Sequence, residues 1–244
     1  MGYDDFVSAQ KERFDQVEEG RFLWQTKNIV IAALERKLLD EPSLADCQVL
    51  EVGCGGGANL FHLGKKGRVL FGLDFSMNRL LFAKSRVDAI LICGDALRLP
   101  FREASFEAIL VRDVVHHLPM DEQGEFISQL AQIMEKDGAL VVIEGNPGNP
   151  MVLGFSYLKK SEENLRHNSA GRLKKLLESN GFIIEKTTAK ESFPYRLILH
   201  YVYGIPKISD YGLTRKILAL LERVLTAVIP RKYYMYTVLV CRRT

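Results

Sequence analysis

Little in this 244-residue chain could staple or anchor it. Its four cysteines, Cys47, Cys54, Cys93 and Cys241, include no C-x-x-C pair, and three sit inside apolar runs. That pattern argues against zinc or disulfides and for buried thiols in a reducing cytoplasm, so no metal is expected. No apolar run approaches the ~18 residues of a membrane span. The opening MGYDDFVSAQKERFDQVEEG is acidic and polar, unlike a signal peptide, and Phe6 stands where myristoylation requires Ser or Thr. The chain also has no internal repeat and no low-complexity tract.

What is present is ordinary in amount but not in placement. Apolar content of 47% and charged content of 26% suit a soluble globular protein with ample core. The net charge of +3 hides an asymmetry: residues 151–244 hold 17 Lys/Arg against 7 Asp/Glu, and residues 1–150 hold 16 against 23. Scattered charges of this kind usually mean only a solvated surface. The bias gains meaning where it falls beside a site.

Residues 4–19 and 22–40 read as helices, the second with Ile29, Val30, Ala33, Leu34 and Leu38 at helical spacing. Pro42 and Ser43 break the pattern, dividing an N-terminal helical cap (1–44) from the main domain (45–244). Strands then alternate with helices: strands at 48–52, 68–74, 89–94, 106–111, 139–145 and 182–188, helices at 57–65, 76–86, 121–135 and 170–179. Short β-rich runs spaced by helices predict a parallel sheet wound on both faces. Two segments interrupt the alternation, at about 146–170 and 189–235, before a last strand YTVLVCRR (236–243). Pro147 and Pro150 should block direct helix entry after the fifth strand. Insertions this long inside a sheet are usually lids or binding loops.

The most informative stretch is VLEVGCGGGANL (49–60), an apolar strand running into a glycine turn. Such a turn usually carries a nucleotide. Gly53, Gly55 and Ala58 fit the dinucleotide pattern G-x-G-x-x-G/A, while Gly53, Gly55 and Gly57 fit G-x-G-x-G with Glu51 ahead of it. The glycines alone do not choose. Asp74, after the second strand, can accept both ribose hydroxyls of NAD or of S-adenosylmethionine. Glu51 in the strand would repel a pyrophosphate and attract an ammonium group. Asp95 in GDALRLPF (94–101) can accept from an adenine amino group. The Y-x-x-x-K base of short-chain dehydrogenases has one match, Tyr203 to Lys207, which encloses Gly204 and Pro206 and could not stay helical.

On these residues the chain resembles the class I S-adenosylmethionine-dependent methyltransferases, closest to the group acting on small molecules and lipids. The matching blocks are EVGCGGG (51–57), LDFS (73–76), GDALRLPFREASFEAIL (94–110), VVHHL (114–118) and EKDGALVVIEGNP (135–147). The resemblance implies a doubly wound seven-stranded sheet, mostly parallel with an antiparallel last strand, and S-adenosyl-L-methionine as cofactor. It also implies roles. Glu51 reaches the methionine amino group, and Gly53 and Gly55 let the backbone approach. Asp74 holds the ribose, Phe75 lies against the adenine, Asp95 takes the adenine amino proton with Ala96 beside it, and Arg112 offers its carbonyl to the methionine amino group.

Methyl transfer is an in-line displacement, so the protein mainly positions a nucleophile and excludes water. A general base is needed only for a poor nucleophile. His117 is the candidate, matching a position where related enzymes often carry a substrate-facing histidine; its alternative is a helix cap or backbone contact. His116 reads as structural or exposed. Arg112-Asp113 departs from the small or polar residues common there. The fourth strand lacks the N-P-P-Y/F or D-P-P-Y/F motif of enzymes that methylate planar amino nitrogens, so nucleic acid is a disfavoured acceptor. NPGNP (146–150) is expected to shape the acceptor pocket, with Asn146 as a contact.

The leading expectation is therefore a methyltransferase for a small-molecule or lipid-like acceptor. The alternatives are a non-catalytic S-adenosylmethionine-binding protein and a nicotinamide oxidoreductase. Both inserted segments lie in the basic half, which includes Lys159, Lys160, Arg215, Lys216, Arg231 and Lys232. LTRKILALLERVLTAVIP (213–230) sets Ile217, Leu218, Leu220, Leu221, Val224, Leu225, Val228 and Ile229 along one helical face. Such a face packs on the core, pairs with a second copy, lines an acyl pocket or lies on a membrane. An anionic acceptor and peripheral membrane contact are the expectations drawn from it. Oligomeric state is left open.

Overall fold

The computed structural model describes residue 15 and residues 19–27, 29–64, 68–192 and 212–244. Helices α1 (Glu19–Lys27) and α2 (Ile29–Leu38) precede the sheet. There follow β1 (Val49–Val52), α3 (Ala58–Gly64), β2 (Leu70–Asp74), α4 (Met77–Lys84), β3 (Ile90–Cys93) and β4 (Phe106–Arg112). The second half holds α5 (Gln123–Ile133), β5 (Met134–Gly145), α6 (Pro150–Leu158), α7 (Ala170–Glu178), β6 (Phe182–Lys190), α8 (Gly212–Val228) and β7 (Tyr236–Arg243).

All seven strands join one sheet in the order β3-β2-β1-β4-β5-β7-β6. Strands β1 to β5 pair in parallel, and β7 runs antiparallel to both β5 and β6. The expected doubly wound sheet with an antiparallel last strand is the one the chain forms. Chain order reverses between β1 and its neighbours β2 and β4. In open α/β sheets that reversal opens a crevice beyond the carboxyl ends of the strands.

Side-chain alternation divides the sheet into two cores. Leu50, Val52, Ile109, Val111, Leu140, Val142, Leu239 and Cys241 face one side, where Phe126, Ile127 and Leu130 of α5 and Leu173 and Leu177 of α7 cover them. Val49, Ala108, Leu110, Val141, Ile143, Val238 and Val240 face the other, against Leu38 of α2, Leu60 and Leu63 of α3 and Val152 of α6. Strands buried on both faces read as continuous apolar runs, which is why VLEV is buried throughout. The same parity assigns each polar residue near a strand end to a side. Glu51 and Arg112 go with the α2–α3 face, and Glu144 goes with the α5–α7 face.

Several boundaries differ from expectation. The helix expected over 22–40 is two helices, and the one expected over 4–19 lies outside the described residues apart from Asp15 and Glu19. β5 begins at Met134 rather than residue 139. Met134 pairs with Phe106, Asp137 takes a φ of 63°, and the ladder resumes at Ala139 after a register shift. Pro150 starts a helix rather than blocking one. It occupies the first turn, where its missing N–H costs nothing, and the Asn149 side chain caps the Met151 and Val152 amides. Residues 146–168 are therefore ordered as α6 and a 3₁₀ turn over Lys160–His167, not as an open loop.

Candidate active site

The glycine turn after β1 is built by backbone geometry that other residues resist. Gly53, Gly55 and Gly57 have φ values of 76°, 52° and 82°. A Cβ on Gly53 would run into Val114 Cγ2, so that position is closed to side chains by the protein itself. The turn hangs on β2 through Gly53 N–H and Cys54 N–H, both donating to the Leu73 carbonyl.

Glu51 sits beside this turn, buried in the α2–α3 side of the sheet. Its Oε1 accepts from Asn59 Nδ2, while Oε2 is buried with no hydrogen-bond partner. Asn59 Oδ1 accepts in turn from Arg112 Nη1 at 2.6 Å, and the same nitrogen meets Glu35 Oε2 at 2.5 Å. Gln25 Nε2 donates to the second Glu35 oxygen at 3.3 Å. A buried polar chain thus runs from α1 and α2 through Arg112 and Asn59 to Glu51. Burial pushes the Glu51 carboxyl up to about 8, against the opposing pull of Asn59 and Arg112. The orphaned Oε2 is the observation that fits a cationic ligand, because a buried polar atom without a partner is costly.

Asp74 ends β2 and is also buried. Its Oδ2 accepts from Gly55 N–H at 2.8 Å and its Oδ1 from Ser76 N–H at 2.9 Å. Burial raises its pKa, opposed by those two hydrogen bonds and by Arg79. Each oxygen keeps a second acceptor site, since a carboxylate offers about four. Phe75, half-buried, follows directly, and Asp15 reaches over to accept from Ser76 Oγ and Asn78 Nδ2, each at 2.7 Å. Asp95, just past β3, accepts from Leu97 N–H at 2.9 Å, and half-buried Ala96 packs on the core beside it. Glu51, Asp74 and Asp95 therefore occupy the carboxyl ends of three adjacent strands, β1, β2 and β3.

A family model described as a methyltransferase domain matches residues 50–142, the span from β1 into β5 that holds these three acids and His117. Residues 50–142 thus match a methyltransferase domain, and the sheet around them has the fold of the class I S-adenosylmethionine-dependent methyltransferases. A probable S-adenosylmethionine-dependent methyltransferase from Mycolicibacterium smegmatis is 28% identical over 57% of this chain and 53% of its own length. The magnesium-protoporphyrin O-methyltransferase of Synechocystis is 25% identical over 73% of this chain and 80% of its own. The chain thus spans only about half the length of the first relative. A solved S-adenosylmethionine-dependent methyltransferase from Thermotoga maritima shares the fold, with a TM-score of 0.67, 16% identity and coverage of 96% of this chain and 100% of that one.

On the opposite face of the sheet lies a second buried polar cluster. Glu144, at the end of β5, accepts from Val114 N–H and Val115 N–H at 3.0 and 2.8 Å through Oε1 and meets His116 Nδ1 through Oε2. His116 Nε2 reaches Glu162 Oε2 at 3.1 Å, and the His117 ring lies against His116, tilted by 49° with centroids 4.0 Å apart. Burial works against a charged His116, yet Glu144 and Glu162 outweigh it and hold the ring up to about 10. Burial likewise opposes ionisation of Glu162, but the hydrogen bond from His116 and the neighbouring cations bring it down to about 2. His116, His117 and Glu162 carry ligand atoms within 4.8 Å of one another. Both nitrogens of His116 already face carboxylates, so its proton takes the place that a metal cation would need.

His116 is thus structural and buried, within the alternatives its sequence allowed. Asn146 is committed to the backbone: Nδ2 donates to the Lys232 and Tyr234 carbonyls at 2.9 and 2.7 Å, and Oδ1 accepts from Gly148 N–H. The Arg112 side chain turns toward Glu35 and Asn59. Sequence reasoning missed Asn59, Glu35, Glu144 and Glu162. Asn59 carried a faint signal, an amide in the first turn after the glycines. The other three carried none, because their partners lie 28 to 77 residues away.

Proposed function

We propose that this protein transfers the methyl group of S-adenosylmethionine to a small-molecule or lipid-like acceptor by in-line displacement. One observation carries the reading: a buried carboxylate oxygen without a partner, Glu51 Oε2, beside a glycine turn tied to Asp74. Glu51 would hold the methionine ammonium, Gly53 and Gly55 the chain beside it, Asp74 the ribose hydroxyls, Phe75 and Ala96 the adenine faces, and Asp95 the adenine amino group. The Arg112 carbonyl is proposed as a second acceptor for the ammonium. The cofactor supplies an electrophilic methyl group already activated by its sulfonium. What remains for the chain is to align a nucleophile and keep water out.

His117, packed against the clamped His116, is proposed as the base for an acceptor that must lose a proton. The 146–170 and 189–235 segments are proposed to form the acceptor side, residues 193–211 of the second lying outside the described residues, with Asn146 as a positioning residue that pins 232–234 to the end of β5 rather than a direct contact. A relative named for O-methylation of magnesium-protoporphyrin supports a small-molecule acceptor, and the basic second half favours an anionic one.

Calorimetry tests the cofactor: S-adenosylhomocysteine should bind and NAD should not. Preferential NAD binding would return the nicotinamide reading. Methyl incorporation from labelled S-adenosylmethionine into a metabolite and lipid extract tests transfer, and its absence despite tight binding would favour a non-catalytic binding protein. His117→Ala should lower turnover while leaving S-adenosylhomocysteine affinity intact. An equally active variant across the histidine pH range would remove the base.

A further inference from the structure

Helix α8 is amphipathic, but it is mounted the wrong way round for a core helix. Ile217, Leu220, Leu221, Val224 and Val228 recur at three- and four-residue steps, share one face, and are between 44% and 73% exposed. The side that meets the domain carries Glu222 and Thr226, with half-buried Leu225 and Ile229 beside them. Glu222 accepts from Ser192 Oγ at 2.9 Å, Thr226 Oγ1 lies 3.3 Å from Ser192 Oγ, and the Thr226 carbonyl accepts from Tyr234 O–H at 3.0 Å. An apolar stripe of this length turned to water is unfavourable unless something else covers it.

The charges around the stripe indicate what that is. Lys216 and Arg223, seven residues apart, are exposed along one border of it, and Arg231 and Lys232 are exposed just beyond its end. Glu222 is the only acid in 212–232, and it faces the domain. A second copy related by a twofold axis would bring these cations against their own kind. An anionic lipid surface would neutralise them while its acyl boundary took up the stripe. Among the described residues no helix is long and apolar enough to cross a membrane, so α8 would lie in the interface plane.

We propose that the exposed face of α8 docks on an anionic lipid bilayer. This goes beyond the methyl-transfer reading and does not depend on it, because none of these residues belongs to the cofactor site. Flotation of the full chain with phosphatidylglycerol-containing vesicles and with pure phosphatidylcholine vesicles tests it. The chain should float with the first far better than with the second, and less as salt rises. Leu220→Glu with Val224→Glu should lower partitioning by about tenfold or more while helical content and S-adenosylhomocysteine affinity stay parental. Lys216→Glu with Arg223→Glu should remove most of the preference for anionic vesicles. No flotation, or flotation unchanged in the first double variant, would overturn the proposal. So would a parental dimer that this variant converts to monomer, which assigns the face to a second copy.

Discussion

The two buried polar clusters at the carboxyl end of the sheet use similar residues for opposite ends. On the α2–α3 face, Glu35, Arg112, Asn59 and Glu51 form a chain that stops one bond short, leaving Glu51 Oε2 open. On the α5–α7 face, Glu144 is filled by two amides and a ring nitrogen, and His116 is held from both sides. A saturated cluster fixes structure; an unsaturated one stores an unmet interaction that a ligand can meet. The first ties the N-terminal helices to the strand that enters the glycine turn, and the second ties residues 160–167 to the turn after β4.

Breaking the closed cluster should have the largest effect. Glu144→Ala leaves a buried imidazolium short of its main partner and frees two amides. Loss of about 3–5 kcal/mol is expected, read as a fall in the urea midpoint. A variant as stable as the parent would show that the cluster is not closed in solution.

The open cluster should respond the other way. Glu51→Gln should weaken S-adenosylhomocysteine by about tenfold or more, as should Asp74→Ala, which loses charge-assisted bonds of roughly 1.5–3 kcal/mol each. Glu51→Gln should nevertheless cost the unliganded protein little stability, because the parental carboxyl is already disfavoured in its charged form. Binding unchanged in either folded variant would remove that residue from the cofactor site.

Changes of pH separate the two clusters by what they move. Near pH 7 the Glu51 carboxyl, with its pKa pushed up to about 8, is largely protonated and must ionise to pair with an ammonium. Cofactor affinity should therefore rise with pH and level off near 8, with proton release visible as a buffer-dependent heat. Affinity independent of pH would mean that Glu51 does not meet the ammonium. The closed cluster shows in stability instead. His116, raised from 6.5 to about 10, contributes fully below 6.5 and loses its contribution as pH rises through 10. Glu162, lowered from 4.5 to about 2, contributes above 4.5 and loses its share as pH falls toward 2. Glu162→Gln should flatten the acid side of the stability profile and leave the cofactor's pH dependence unchanged.

Much of this was legible in the chain. Apolar runs of strand length separated by helical spacing determined a parallel sheet. The G-x-G-x-G turn and the acids at 51, 74 and 95 were expected at the ends of successive strands, and the fold places them there on β1, β2 and β3, because backbone conformation and strand ends are local properties. Side-chain parity along β1, β4 and β5 even implied which face each buried acid would take. Which partners meet there is a matter of distance in sequence. Glu35 reaches Arg112 across 77 positions and His116 reaches Glu162 across 46, and no local pattern encodes contacts of that separation. The α8 stripe makes the same point: its periodicity was plain in the residues, but only packing decided that Glu222 and Thr226 would meet Ser192 and leave Ile217, Leu220, Leu221, Val224 and Val228 to solvent.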